Sequence, residues 1–221
     1  MLAKYLISDV VPSLRTSDTG TKALSWMEFF RISHLPIVNS EELLGLISDT
    51  DIYDLNMADE PIGNHKLSLI RPYIKENAHI YEVIEIVARL NLTIIPVLDE
   101  KNNYLGVITM HNLVRNFADL TAAKQPGGII VLELNENDYS LSEIAQIIES
   151  NDAKVLGFYL HSPEDTMQLD ITIKINKTDL APVIQTFNRY DYTIKASFMH
   201  DDEMDVFYKN RFESFMNYLN I

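Results

Sequence analysis

The chain has 221 residues, of which 47% are hydrophobic and 23% are charged, a composition typical of a folded protein with room for two domains. Its 18 basic and 32 acidic side chains give a net charge of −14, which disfavours nucleic acid and anionic membranes as partners because both need a positive protein surface. The absence of cysteine excludes disulfides and thiolate chemistry, and no apolar run reaches the roughly 20 residues that a membrane span needs.

The first half of the chain contains an internal repeat. Residues 33–38 align with 93–98 at an offset of 60, and the helical stretches that precede them align at the same offset. Further on, 44–52 matches 105–113 at an offset of 61, because one residue is added in a polar hairpin turn. Each copy is predicted to form a helix, a strand, a hairpin, a strand and a helix. One unit of about 50 residues buries too little apolar area alone, so the two copies should pack together.

Each copy resembles a CBS motif, the unit that pairs into a Bateman module. The resemblance rests on the Leu-Pro-Ile-Val strand, the Leu-Gly-Leu-Ile strand with its glycine at the bend, and the Ser-x-x-Asp start of the next helix. It implies an α/β (α+β) fold whose cleft takes adenosyl ligands, with His34 and Pro36 as candidate cleft residues. We therefore expect a tandem CBS domain over residues 1–122, with repeats at about 7–55 and 70–118.

The Ser/Thr-x-x-Asp element supplies the main candidate ligand residues. The resemblance implies that its aspartate holds ribose hydroxyls and that its hydroxyl side chain lies nearby. The first copy has the whole element at Ser48 and Asp51, whereas the second has Thr109 and Asn112. A carboxylate suits a vicinal diol because it accepts charge-assisted hydrogen bonds. The same spacing is also a helix-capping pattern, and both interpretations stay open at this point.

The charges near the two helix starts distinguish between ligands. Asp49, Asp51 and Asp54 disfavour a phosphate at the first copy, so we expect an adenosine-like ligand there, with S-adenosylmethionine more compatible than ATP. His111 and Arg115 lie one helical turn apart in the second copy, where they either meet a phosphate or form an exposed basic face. The adenine nucleotide or S-adenosylmethionine is expected as a regulatory ligand, and no cofactor is required.

A Pro-Gly-Gly run marks the boundary to a second domain. We predict a linker at 123–127 and, over 128–199, the order strand, helix, strand, strand, helix, strand. This order is the ferredoxin-like βαββαβ unit, an antiparallel sheet with both helices on one face. Directly after a CBS pair, it resembles an ACT domain, a small-molecule sensor that usually self-associates.

The loop after the first strand of this domain is a weaker candidate site. Amino-acid-binding ACT domains carry an Asp-x-Pro-Gly element there, and this chain has Asn137, Asp138 and Leu141 without the Pro-Gly. The missing glycine matters because it lets a backbone N–H approach a ligand closely. The alternative is that Asn137 and Asp138 are ordinary turn residues.

The C-terminal residues 200–221 predict an amphipathic helix. Its apolar side chains are mainly aromatic, at positions 207, 212, 215, 216 and 219. Such a stripe needs covering, either by its own chain or by a second copy. We therefore expect a homodimer.

The sequence contains no recognisable catalytic motif. Its seven glycines form neither a phosphate loop nor a dinucleotide fingerprint, and its six histidines never stand at metal-ligand spacing. The N-terminus lacks a secretory signal, which favours a cytoplasmic location. We expect a non-catalytic regulatory protein that senses an adenosyl ligand and passes the signal to its ACT-like domain or to a target protein. The alternative is a ligand-free dimeric interaction scaffold that docks a basic partner.

Overall fold

The computed structural model of the chain describes residues 1–54, 58–64, 71–162 and 168–199. The chain forms two compact units, Met1–Leu120 and Thr121–Ile221. The helix predicted at 200–221 lies outside the described residues. Within the described part, no helix has the length and apolar character needed to cross a membrane.

The first unit contains one arrangement twice. Its helices and strands are α1 (Gly20–Phe30), β1 (His34–Asn39), β2 (Glu42–Ser48), α2 (Asp49–Asp54), β3 (Ile74–Lys75), α3 (Ile80–Arg89), β4 (Ile94–Leu98), β5 (Tyr104–Thr109) and α4 (Met110–Leu120). The antiparallel hairpins β1–β2 and β4–β5 each lie between two helices, which confirms the predicted order. A short extended segment also precedes each first helix. Leu14 pairs in parallel with Ile37, and β3 pairs in parallel with β4.

The duplication extends to individual hydrogen bonds. Asp49 N–H donates to the carbonyl oxygen of Ser33 at 3.1 Å, and Met110 N–H donates to that of Thr93 at 3.0 Å, so the same bond ties each second helix to its first strand. Each hairpin also has a register irregularity near its glycine. In β5 this leaves Gly106 at a φ of 148°, a conformation that side-chain-bearing residues rarely adopt.

The N-terminal segment crosses between the two copies. Ala3 and Leu6 are buried in the core of the second copy, although they precede the first copy in the chain. Ser8 N–H donates to the carbonyl oxygen of Val107 in β5 at 2.8 Å. Leu14, in contrast, is buried in the core of the first copy. Residues 8–14 therefore run from one copy to the other.

The second unit has the ferredoxin-like topology that the sequence predicts. Its elements are β6 (Ile129–Asn135), α5 (Leu141–Ser150), β7 (Val155–His161), β8 (Gln168–Ile175), α6 (Ala181–Arg189) and β9 (Thr193–Phe198). The strands form one antiparallel sheet in the order β7-β8-β6-β9. Alternate residues of β8 are buried with the apolar residues of α5 and α6, so both helices share one core with the sheet.

Three features of this unit and the repeats concern the starts of helices. Leu141 is 51% exposed and does not extend the buried stripe of α5. A capping box at Ser140 is half formed: its Oγ accepts Glu143 N–H at 3.4 Å, while the Glu143 carboxylate bonds to Tyr192. His79 is exposed and caps α3 through Nδ1, which accepts Tyr81 N–H at 3.3 Å.

Candidate functional site

A cavity of 580 Å³ lies between the two copies of the first unit. It is lined by Thr93 and by residues of three segments, namely Ser8, Val10 and Val11; Phe30, Arg31 and Ile32; and Thr109, Met110, His111 and Asn112. The first of these segments is the N-terminal crossing. The volume is within the range of about 300–1,000 Å³ that is usual for small-molecule sites. We call this space the Thr109 cavity.

Thr109 and Asn112 stand where β5 passes into α4. The Thr109 Oγ1 accepts Asn112 N–H at 3.1 Å, so the hydroxyl caps the helix. Since a hydroxyl also carries one donor, Thr109 keeps its O–H for a second partner. The 11-residue helix α4 directs the positive end of its dipole toward the same place.

The Thr109 cavity combines apolar walls with a basic edge. The apolar lining comes from Val10, Val11, Phe30, Ile32 and Met110. Arg31 and His111 supply the basic groups, and no carboxylate is among the lining residues. Such a surface suits a flat apolar group at one end and an anion at the other, because the guanidinium and the helix start both attract negative charge. Of the predicted phosphate pair, Arg115 is exposed on α4 and does not line the cavity.

Ser48 and Asp51 in the first copy bind each other. The Asp51 Oδ2 accepts Ser48 N–H at 2.8 Å and Ser48 O–H at 2.7 Å, while the Ser48 Oγ accepts Asp51 N–H at 3.1 Å. This is the reciprocal arrangement of a capping box at the start of α2. Neither residue lines the Thr109 cavity. The capping interpretation thus describes their geometry, and their predicted ribose contact stays a prediction.

His34 and Pro36 occupy different environments. Pro36 is buried in β1, opposite Leu46 of β2. His34 is half-buried at the junction of the two copies, where its Nδ1 lies 3.1 Å from the Oγ1 of Thr93. Burial lowers the pKa of His34, and the neighbouring carboxylates of Asp49 and Asp51 oppose that shift. The structure therefore places His34 beside the residue that lines the cavity rather than in the lining itself.

The second unit has a polar cavity of 390 Å³ at one end of its sheet. Asp138 lines it, and Asn135 Nδ2 donates to Asp138 Oδ2 at 3.0 Å. Glu143 and Tyr192 also line it. Burial and the Glu143 carboxylate raise the pKa of Tyr192 to about 12. Asn137 and Leu141 are exposed and outside this lining, so amino-acid binding by this loop stays a prediction.

The sequence reasoning missed several residues of the Thr109 cavity. Thr93 could have been found, because it aligns with Ser33 at the repeat offset and faces it in the fold. Arg31 follows α1 in the left-handed conformation, with φ at 54°, a position that the helix-end pattern does not reveal. Ser8 and Val10 line the cavity because the N-terminal segment crosses to the second copy. No local sequence pattern predicts that crossing.

Comparison with known proteins finds one matching family and several similar proteins. A family model of the CBS domain matches residues 6–58 and 59–119. Inosine-5'-monophosphate dehydrogenase of Methanocaldococcus jannaschii is 23% identical over 148 residues, which are 66% of this chain and 29% of that enzyme. A CBS domain pair/ACT domain protein from Thermotoga maritima has 20% identity and a TM-score of 0.48, covering 54% of this chain and 98% of its own. CBSX2, solved in complex with AMP, has 15% identity and a TM-score of 0.46, covering 53% and 96%.

These matches differ in how much they cover. The chain spans 29%, 26% and 48% of the length of three curated relatives, so it corresponds to a part of each of them. The two family-model matches together span more than half of the chain.

Proposed function

The chain belongs to the CBS domain family, and from this we propose that it is a non-catalytic regulatory protein that binds an adenosyl ligand in the cleft of its CBS pair. One observation carries the proposal: the Thr109 cavity brings apolar walls, two basic groups and a capped helix start into one space. An adenine nucleotide needs these three features, because it has a flat base, a hydroxylated sugar and an anionic end.

Each part of the ligand has a partner in this cavity. The base packs against the apolar wall that includes Phe30. The ribose hydroxyls reach Thr109 and Asn112, whose hydroxyl and amide groups both donate and accept hydrogen bonds. The phosphate lies toward Arg31 and the start of α4, where charge-assisted hydrogen bonds are strongest. AMP fits this charge distribution better than the cationic S-adenosylmethionine does, whereas the latter stays the expected ligand beside Asp51.

The fold offers a route for the signal. The ligand contacts the first turn of α4, which ends at Leu120, and the second unit begins at Thr121. A ligand that orders α4 therefore acts on the element that leads directly into the ACT-like domain. A ligand that binds more tightly to one of two arrangements of this connection would shift the protein toward that arrangement. This shift would change the surface that a target protein contacts.

Isothermal titration calorimetry with AMP, ATP, adenosine and S-adenosylmethionine tests the binding site. We expect Thr109→Val to weaken AMP binding about tenfold, the loss of roughly one hydrogen bond to the sugar, while Thr109→Ser retains it. Asn112→Asp, which restores the family pattern, should weaken binding about tenfold, since the new carboxylate would accept the Thr109 hydroxyl hydrogen as Asp51 accepts that of Ser48. Asp51→Ala in the other copy is the matched control and should leave AMP affinity unchanged.

Two outcomes would contradict this proposal. If AMP affinity falls with Asp51→Ala and is indifferent to Thr109→Val, the ligand occupies the first copy instead. If no ligand of the panel binds, the sensor function itself is wrong.

A second candidate function is a ligand-free dimeric scaffold. Phe29 on α1 and Tyr53 on α2 are 78% and 68% exposed, and the chain carries a net charge of −14. Exposed aromatic side chains favour protein contacts, and the acidic surface favours a basic partner. Analytical ultracentrifugation separates the alternatives: a stable dimer that is silent toward every adenosyl ligand would support the scaffold.

A further inference from the structure

A histidine takes part in the junction between the two CBS copies. Ser33 N–H in the first copy donates to the Oγ1 of Thr93 in the second at 3.0 Å. The Nδ1 of His34 lies 3.1 Å from the same Oγ1 and accepts Thr93 N–H at 3.4 Å. Ser33 and Thr93 are equivalent positions of the repeat, so this contact joins the copies where their first strands meet.

The contacts of Nδ1 favour a neutral His34 ring. The Thr93 Oγ1 accepts from Ser33, so its own hydrogen is available to the imidazole. Nδ1 then accepts from both the hydroxyl and the backbone N–H of Thr93, which it can do only while it carries no proton. The neutral ring therefore has its hydrogen on Nε2. Burial favours the same neutral form, because it lowers the pKa of His34.

Two carboxylates of the first copy act on the ring. Asp49 and Asp51, both in α2 of the same copy, are the charged groups that act on His34. On the side of the second copy, the ring faces the uncharged Thr93. A protonated ring would present N–H to the Thr93 amide, so two donors would face each other at 3.4 Å. It would be attracted to the carboxylates of α2 instead.

We propose that His34 is a proton-operated latch between the two CBS copies: neutral, it binds Thr93 of the second copy, and protonated, it turns to Asp49 and Asp51 of its own copy. The neutral ring is bound to the second copy and the protonated ring to the first, so a single protonation moves the ring from one position to the other. Because Thr93 also lines the Thr109 cavity and its carbonyl accepts Met110 N–H, acid loosens the junction at the ligand site.

Nitrogen-detected NMR of the whole chain, without ligand, tests the latch directly. We expect His34 to be the Nε2–H tautomer near neutral pH and to titrate at a lower pH than a solvent-exposed histidine. Thr93→Val removes the hydroxyl but keeps the shape, so it should raise the titration midpoint of His34. Thr93→Ser retains the hydroxyl and should leave the midpoint unchanged. A midpoint that is indifferent to Thr93→Val would overturn the proposal, as would a proton on Nδ1 at neutral pH.

Amide hydrogen exchange tests the opening of the junction. In the wild type, the amides of Ser33 and Thr93 should lose protection between about pH 8 and about pH 5, after correction for intrinsic exchange. His34→Asn keeps an acceptor near the Nδ1 position but does not titrate, so its protection should persist in acid. His161→Asn, in β7 of the second unit, is the matched control and should open like the wild type. Equal acid loss in His34→Asn would assign the effect to another group and refute the latch. Neither measurement uses a nucleotide, so both stand apart from the ligand assignment.

Discussion

Replacing Gly106 by alanine tests whether the N-terminal crossing supports one wall of the Thr109 cavity. Gly106 lies in β5 at a φ of 148°, and a Cβ placed there would lie 2.7 Å from the Cγ2 of Ile7. Ile7 directly precedes Ser8, whose N–H bonds to Val107. The substitution therefore pushes on the segment that supplies one wall of the Thr109 cavity.

Two costs contribute to the expected loss of stability. An alanine in this backbone conformation costs about 1–3 kcal/mol. The overlap with Ile7 adds about 1–3 kcal/mol, since a β-branched side chain has few alternative rotamers. The combined loss is about 4 kcal/mol, which corresponds to a fall in the unfolding midpoint of the first unit of roughly 10 °C or more. AMP binding should weaken as well, because the wall formed by Ser8 and Val10 is displaced.

A double-mutant cycle with Ile7→Ala separates the two costs. Ile7→Ala removes the overlapping methyl group, so in that background Gly106→Ala should cost only the backbone part, about 2 kcal/mol. Differential scanning calorimetry and urea unfolding measure both backgrounds. An equal loss with and without Ile7 would show that the overlap contributes nothing. An unchanged midpoint in the single variant would refute the role assigned to the crossing.

Three other changes test separate features of the fold. Gly127→Ala should unfold the second unit, since at a φ of 139° a Cβ would overlap the carbonyl oxygen of Ile175; limited proteolysis should then cut within 128–199 and spare the first unit. Ser48→Ala should cost about 1 kcal/mol in urea unfolding through the lost cap, and Ser48→Thr, which keeps the hydroxyl, should recover most of it. Because burial lowers the pKa of His34, the unfolded chain binds that proton more readily, and the free energy of unfolding should fall as the pH drops below about 6.5; His34→Asn should remove this part.

The sequence predicts the repeated elements well because their signals are local. The apolar spacing of α1 and α3, the hairpin turns and the bend glycines recur at nearly constant offsets, and each is set by residues close in the chain. The ferredoxin-like order of the second unit is predictable for the same reason. Pro182 lies at the second position of α6, where proline is tolerated because the first helical N–H groups have no intrahelical partner.

The sequence does not predict contacts between distant segments. The Ser8 bond to Val107 and the His34 bond to Thr93 each join residues about 60 or more positions apart, and no periodicity describes them. For Leu141, in contrast, the local pattern indicates burial that the structure does not show. Its spacing matches that of the buried apolar residues of α5. It is the first residue of the helix, however, and its side chain is half exposed, because the first turn of α5 extends beyond the area that the sheet covers.

The two copies also show that a complete Ser/Thr-x-x-Asp element does not necessarily leave its side chains available to a ligand. In the first copy, Ser48 donates its hydroxyl hydrogen to Asp51, so the capping box satisfies both side chains. Asn112 replaces that acid in the second copy, and the described contacts leave the Thr109 hydroxyl hydrogen without an acceptor. A ligand at Ser48 must first break a bond to a charged group, which costs about 1–3 kcal/mol, whereas a ligand at Thr109 breaks none. The departure from the family pattern thus favours the second copy for an uncharged diol, by about tenfold or more at equal contacts. A higher affinity for adenosine beside Ser48 than beside Thr109 would show that this reasoning is wrong.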